Sequence, residues 1–132
     1  MEIKTPYIFG KIVKMPYASA EQKVREELAK EGFGILTEID MKQNFSEITR
    51  KEFCNKVILG ACIPSVACEA SSREVNLGML PPCNVVVYTM NDASTAVMVM
   101  DPVAALAMID NLEIDEIARK IAGKLARVLA AL

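Results

Sequence analysis

The sequence predicts a single domain that combines helices and strands, with helices lying on a sheet. Two β-branched runs, residues 84–90 and 95–100, are joined by the short loop 91–94 and predict a hairpin. The final stretch, 114–132, places apolar residues at spacings of three and four, which predicts a long amphipathic helix lying on the sheet. No linker, repeat or low-complexity tract divides the chain, so we expect one domain over residues 1–132.

The first half of the chain predicts two strands on either side of a helix. Residues 7–14 have the composition of a strand, and a helix follows from Ser19, which forms a capping box with Gln22. This helix is expected to end at Gly32, because glycine tolerates the left-handed closing turn. Residues 33–42 alternate like a half-buried strand, with one side formed by Phe33, Ile35, Thr37, Ile39 and Met41 and the other by Gly34, Leu36, Glu38, Asp40 and Lys42.

The second half predicts a buried strand between two short helices, and then the hairpin. A helix capped by Asn44 precedes the strand at residues 56–61, and Pro64 suits the first turn of a helix over residues 64–72. After the hairpin, Asp101 and Pro102 predict a capped helix that extends to about Asn111.

Composition excludes some partners and favours others. The net charge is −2 with scattered basic residues and no Trp, which disfavours a nucleic-acid partner. The first residues lack the apolar core of a signal peptide and no long apolar run occurs, so we expect a cytoplasmic protein with no membrane partner. The apolar fraction of 52% exceeds what one small core needs, which favours a homodimer.

Four blocks of residues carry a resemblance to a known family. They are residues 32–40 (GFGILTEID), 58–64 (ILGACIP), 80–88 (LPPCNVVVY) and 100–102 (MDP). In this order they resemble the domain-of-unknown-function 302 family. The resemblance implies an α+β fold, a two-layer β-α-β(4)-α domain in which helices pack on one face of a mainly antiparallel sheet, without an assigned activity. This chain has Ile63 where the family usually has Asn, and Lys56 where it often has Tyr, which puts in doubt a polar site that needs those groups.

Two of the four cysteines are candidates for chemistry. Cys62 precedes the predicted helix at Pro64, where the helix dipole lowers the pKa of a thiol, and Cys83 lies in another family-like block. A reactive pair would suit a thiol-based redox enzyme or sensor, whereas buried cysteines would simply fill space. Cys54 and Cys68 are interpreted as packing residues.

Four further residues are candidate ligand-binding positions. Glu38 and Asp40 lie two apart on the side of their strand that we expect to face solvent, which suits either a cation site or ordinary solvated charges. Asp101 is explained as a helix cap, and Pro64 as a first-turn residue next to Cys62. The chain has no His and no short cysteine pairs, so we expect neither a metal site nor a cofactor.

No recognisable catalytic set stands out. The leading prediction is therefore a non-catalytic homodimeric module that binds a small ligand or a protein partner. A thiol-based redox role for Cys62 and Cys83 is the alternative.

Overall fold

Short β-branched segments and amphipathic segments build the two layers seen in the computed structural model, which describes residues 1–49, 54–74 and 83–132. The six strands form one sheet in the order β1-β2-β6-β5-β4-β3, and every neighbouring pair is antiparallel. In chain order the strands are β1 (Glu2–Lys4), β2 (Ile8–Val13), β3 (Gly34–Asp40), β4 (Lys56–Cys62), β5 (Cys83–Asn91) and β6 (Ser94–Met100). The predicted α+β class and the hairpin of β5 and β6 are confirmed.

In the described parts of the chain, five helices connect or follow these strands. They are α1 (Tyr17–Lys30), α2 (Met41–Thr49), α3 (Pro64–Arg73), α4 (Pro102–Ala105) and α5 (Leu112–Ala130). Taken without β1 and the short helices, the order β2-α1-β3-β4-β5-β6-α5 is the predicted β-α-β(4)-α arrangement. No helix within the described residues is long and apolar enough to cross a membrane.

The main core lies between one face of the sheet and the apolar sides of α1 and α5. Ala20, Val24 and Leu28 recur at four-residue spacing and give α1 one fully buried stripe. They pack with Leu125 and Val128 of α5 and with inward side chains of the sheet, which include Leu59, Val85, Val87, Val97 and Val99. We call this side of the sheet the inner face and the opposite side the outer face.

A second, smaller cluster lies beside the main core. It contains Ala70 of α3 together with Ile114 and Ile117 of α5. Leu106 and Ile109, in the segment that joins α4 to α5, pack against it. This cluster holds α3 and α4 against the amino-terminal half of α5, and it borders the candidate site described below.

The alternation predicted for residues 33–42 is wrong beyond Ile35. Ile35 lies opposite Ala61 on the inner face, but Thr37 lies opposite Gly60, because a β-bulge places an extra residue, Leu36, between them. A shift of one residue exchanges the two faces of a strand. Glu38 therefore lies opposite Leu59 on the inner face, and not on the solvent face that the sequence predicted.

Two predicted helix starts are also corrected. The first helix begins at Tyr17 with Pro16 as its cap residue and no capping side chain, so Ser19 and Gln22 form no capping box. The second begins at Met41, where the Asp40 carboxylate accepts a hydrogen bond from the Gln43 amide at 3.0 Å. In both places the helix begins before the predicted cap residue is reached, directly after β3 for α2 and three residues after β2 for α1.

Of the predicted helix ends, the end of α1 agrees with the structure and the end of the helix after Asp101 does not. Gly32 adopts a φ of 87°, the left-handed conformation expected at the end of α1. The helix after Asp101 is shorter than predicted, since α4 ends at Ala105 and α5 begins at Leu112 with Asn111 as its cap. The carboxyl end of α5 is tied to the sheet by Lys11, whose ammonium donates to the Leu132 carbonyl at 3.0 Å.

Candidate functional site

An apolar cavity of about 250 Å³ lies at one end of the sheet, between the strands and the helices α3, α4 and α5. Its floor comes from the carboxyl end of β4 and the start of β5, where Ala61, Cys62 and Cys83 meet. Its walls come from α3, α4 and α5 and from the segment after α4. The described lining residues are Ala61, Cys62, Ile63, Val66, Ala67, Ala70, Cys83, Asn84, Met100, Pro102, Ala105, Leu106, Ile117 and Ile121.

Small side chains on the surrounding helices leave this space open. Ala67 and Ala70 face it from α3, and Ala105 faces it from α4. None of the described lining residues carries a charge, and Asn84 is the one that carries an amide. The space therefore suits an apolar molecule, with few polar groups to orient it.

Both candidate cysteines line this cavity. Cys83 pairs with Ala61 across β5 and β4, so Cys62 is one residue away from the partner of Cys83. Helix α3 begins at Pro64 with Ile63 as its cap residue, which confirms that Cys62 lies just before a helix amino terminus. Consecutive residues of a strand point to opposite faces of the sheet. This register therefore directs the Cys62 and Cys83 side chains toward opposite faces.

Burial changes the acidity of one of the two thiols. Burial, and to a smaller extent charge repulsion from the neighbouring Cys62, raise the pKa of Cys83 to about 11. Cys83 is thus protonated at neutral pH and is a poor nucleophile there. Its role is closer to that of a small apolar residue in the cavity wall.

The other two cysteines occupy different surroundings from those predicted. Cys54 and Cys68 are both exposed, so their interpretation as packing residues is wrong. Cys54 lies just before β4, and Cys68 lies on the solvent side of α3, one residue after the cavity-lining Ala67. Helical periodicity explains the outward direction of Cys68.

The two acidic candidates lie away from the cavity and have structural partners. Glu38 forms an ion pair with Arg25 of α1, which also pairs with Glu21 at 2.7 Å. Burial, together with the nearby Glu21 and Asp40 carboxylates, raises the pKa of the Tyr17 phenol to about 12. The contacts of Arg25 link α1 to β3. Within the described residues, no group of three or more acidic, Cys or His side chains could hold a metal ion.

Asp101 and Pro64 also have structural roles. The Asp101 carboxylate accepts a hydrogen bond from the Val103 amide at 2.9 Å and caps α4, as its sequence context predicts. Pro64 occupies the first turn of α3, where its missing N–H is not needed. Neither residue is among the described cavity-lining residues.

Sequence reasoning found the cysteines but missed most of the cavity around them. The helix residues that line it, such as Val66, Ile117 and Ile121, looked like ordinary core positions. The available signal was the run of small residues in α3, since Ala67 and Ala70 on one side of a helix leave room against a neighbour. Which helices meet at this end of the sheet cannot be inferred from a single sequence.

Comparisons with known proteins agree with the fold and the family-like blocks. The model of the family described as "Domain of unknown function DUF302" matches residues 9–132. The fold is similar to the crystal structure of an uncharacterized conserved protein DUF302 from Bacillus stearothermophilus, with 26% identity, a TM-score of 0.86, and coverage of 94% of this chain and 96% of that one. No curated protein matches the chain. The chain therefore belongs to the DUF302 family.

Proposed function

We propose that this protein is a non-catalytic homodimeric module that binds a small, uncharged apolar ligand in the cavity beside Cys62 and Cys83. The observation that carries the ligand proposal is the cavity itself, a space of about 250 Å³ whose described lining has no charged side chain. Ile63 supports it, because this residue adds an apolar side chain to the lining. An apolar lining disfavours ions and strongly polar metabolites.

The size of the cavity limits the ligand. An engineered cavity of about 150 Å³ is enough to bind benzene, whereas drug-sized ligands occupy roughly 300–1,000 Å³. A space of about 250 Å³ therefore suits a single bicyclic ring system or a short alkyl chain. The Asn84 amide and the two thiols supply the polar groups that would orient a hydroxyl or N–H on such a ligand.

The test uses indole as an aromatic probe and 1-octanol as an aliphatic probe, each titrated into the full chain. Methyl NMR signals of Ile63, Ala67 and Ile121, which line the cavity, report binding. We expect a saturable shift with at least one probe. Ala67→Leu fills the space and should weaken that binding about tenfold or more.

The matched control is Ala29→Leu, the same substitution at an exposed position on α1. It should leave both the shifts and the affinity unchanged. The ligand proposal is overturned if neither probe gives a saturable shift at the cavity methyl groups. It is also overturned if a folded Ala67→Leu protein binds as well as the unaltered chain.

A second candidate function is thiol-based redox chemistry, favoured by the presence of both thiols among the residues that line the cavity. A hydroperoxide would oxidise the Cys62 thiolate to a sulfenic acid while the peroxide is reduced to an alcohol. The Cys83 thiol would then attack that sulfur, releasing water and forming a disulfide. The raised pKa of Cys83 and the opposed side-chain directions weigh against this candidate.

Mass spectrometry after treatment with a hydroperoxide separates the two candidates. Redox function requires a disulfide between Cys62 and Cys83 that forms at neutral pH and is lost in both Cys62→Ser and Cys83→Ser. Cys54 and Cys68 are internal controls, since both are exposed and react irrespective of the cavity. Oxidation confined to Cys54 and Cys68 would eliminate the redox candidate.

A further inference from the structure

The outer face of the sheet is almost free of charge. Across the four central strands its side chains include Ile8 and Ile12 of β2, Met98 of β6, Val86 and Tyr88 of β5, and Ile58 of β4. Among the strand residues that the structure describes at outer positions, Lys56 is the one that is charged, and its ammonium lies 5.6 Å from the centre of the Tyr88 ring. The face of a sheet that is exposed to solvent normally carries mostly polar side chains. The apolar composition of the outer face therefore indicates that another surface covers it in the functional protein.

These outer side chains take no part in either described core cluster. The inward residues of the same strands, such as Val87 and Val97, are fully buried beneath the helices. Ile58, Val86 and Met98 instead remain half-buried, and Ile39 and Met100 are 44% and 37% exposed. Within the described residues, the outer face is therefore an apolar layer that packs against neither core.

The two edges of the sheet are poor places for another strand to add. At one edge, β3 carries the bulge at Leu36 and the charged residues Glu38 and Asp40. At the other edge, β1 is only three residues long and contains Glu2 and Lys4. Bulges, charges and short length are the usual devices that prevent edge pairing, so association through the edges is disfavoured.

The outer face is large enough for a stable interface between two copies. Strands lie about 4.8 Å apart and rise about 3.4 Å per residue, so the face measures roughly 25–30 Å by 20 Å, or about 500–600 Å². Two copies packed face to face would bury roughly 1,000–1,200 Å², which reaches the lower limit for a specific complex. Lys56, as the first residue of β4, lies toward the rim of this face, where a charge is tolerated.

We propose that the outer face binds the outer face of a second copy, giving a two-fold dimer in which the two sheets pack against each other. The inference rests on the homodimer in the proposed function and names the surface that forms it. A two-fold axis brings the same apolar residues together from both copies, and facing sheets pack about 10 Å apart. The ligand cavity is lined by helix residues and one end of the sheet, so ligand binding is tested separately.

Sedimentation velocity on the full chain at micromolar concentration tests this interface. We expect the unaltered protein to sediment as a dimer. Met98→Lys would bury two lysine charges per dimer and should raise the dissociation constant about 100-fold or more. Met108→Lys is the matched control, because Met108 is 77% exposed outside the sheet, and it should remain dimeric.

A monomeric unaltered protein would overturn the dimer and this interface, whatever the indole and octanol titrations show. A folded Met98→Lys protein that remains a dimer would overturn the interface and leave the dimer standing. If Met98→Lys does not fold, peroxide oxidation of the unaltered protein decides. Dimerisation through this face makes the oxidation of Met98 slower at high protein concentration while Met108 is unaffected, and a Met98 rate that is the same at every concentration overturns the proposal.

Discussion

At the residue scale, Gly10 occupies a position that the neighbouring strand leaves no room to change. A Cβ added there would lie 2.5 Å from the Val97 carbonyl oxygen and 3.0 Å from the Met98 Cα. Both of these atoms belong to the backbone of β6, which cannot move aside without disturbing the pairing of β2 with β6. Glycine is therefore required here by close approach and not by an unusual φ.

Gly10→Ala should lower the free energy of unfolding by roughly 1–3 kcal/mol through this overlap. Gly123→Ala on α5 is the opposite case, since an added Cβ there meets only the Arg127 guanidinium at 3.9 Å. Alanine in a helix interior should raise the free energy of unfolding by about 0.5–1 kcal/mol. Urea unfolding of the two variants measures both effects, and equal signs would contradict the argument.

Cys83 gives the folded protein a pH dependence above neutrality. Its thiol keeps its proton up to about pH 11 in the folded chain, because burial raises its pKa, whereas in the unfolded chain it ionises near its ordinary value of about 8.5. Between these two values only the unfolded state loses the proton. The free energy of unfolding should therefore fall as the pH rises through this range, by on the order of 3 kcal/mol.

Cys83→Ala isolates the contribution of Cys83. A separate control is needed because Tyr17, whose pKa is raised to about 12, also lowers the free energy of unfolding at higher pH. Denaturant unfolding between about pH 8 and 11 should show a smaller decline for the variant than for the unaltered chain. Alkylation of the folded protein gives an independent measure, with Cys54 and Cys68 reacting well before Cys83 at neutral pH. Identical pH profiles for the two proteins would contradict the assigned pKa.

At the element scale, the sequence predicted best where one local signal was strong. The β-branched residues of β4, β5 and β6 and the three-and-four spacing of α5 each matched an element within a few residues. The sequence did not predict β1, whose three residues carry no alternation. It also predicted the wrong start for α1, because the capping box present in the sequence is not formed. Short elements are decided by their neighbours, because too few residues carry a local preference.

Helix α5 is expected to contribute more stability than the other helices, since its buried side reaches both core clusters. Leu125 is fully buried between this helix and the sheet. Leu125→Ala should cost about 2–5 kcal/mol, from lost burial and the remaining cavity. Arg119→Ala on the exposed side of the same helix should change the free energy of unfolding by no more than about 0.5 kcal/mol, measured by urea unfolding.

At the scale of the whole molecule, the sheet connects elements that are distant in sequence. The amino-terminal strands β1 and β2 join the sheet beside β6, and β3 forms the opposite edge. The main core draws on α1, α5 and the strands from β2 to β6. This arrangement favours the prediction of a single folding unit over residues 1–132.

We therefore expect residues 1–132 to unfold in one cooperative transition. Far-ultraviolet circular dichroism and calorimetry should give the same midpoint, with equal calorimetric and van't Hoff enthalpies. Because the proposed dimer is linked to folding, the midpoint should rise with protein concentration. Two separated transitions would contradict the single domain, and a midpoint independent of concentration would contradict the dimer.

The sequence by itself determined the local features of this protein. The periodicity of α5, the β5–β6 hairpin, the left-handed turn at Gly32 and the cap at Asp101 all depend on residues close together in the chain. The candidate thiols Cys62 and Cys83 were also found from local sequence blocks. Local propensity acts over a few residues, which is why one sequence was sufficient for these features.

Only the tertiary structure decided which faces and which distant residues meet. The bulge at Leu36 turned Glu38 toward Arg25, an outcome set by the pairing of β3 with β4 and by the position of α1. The cavity likewise depends on how α3, α4 and α5 pack beyond the end of the sheet. Such contacts join segments far apart in the chain, and a pattern within one segment contains no information about its partner.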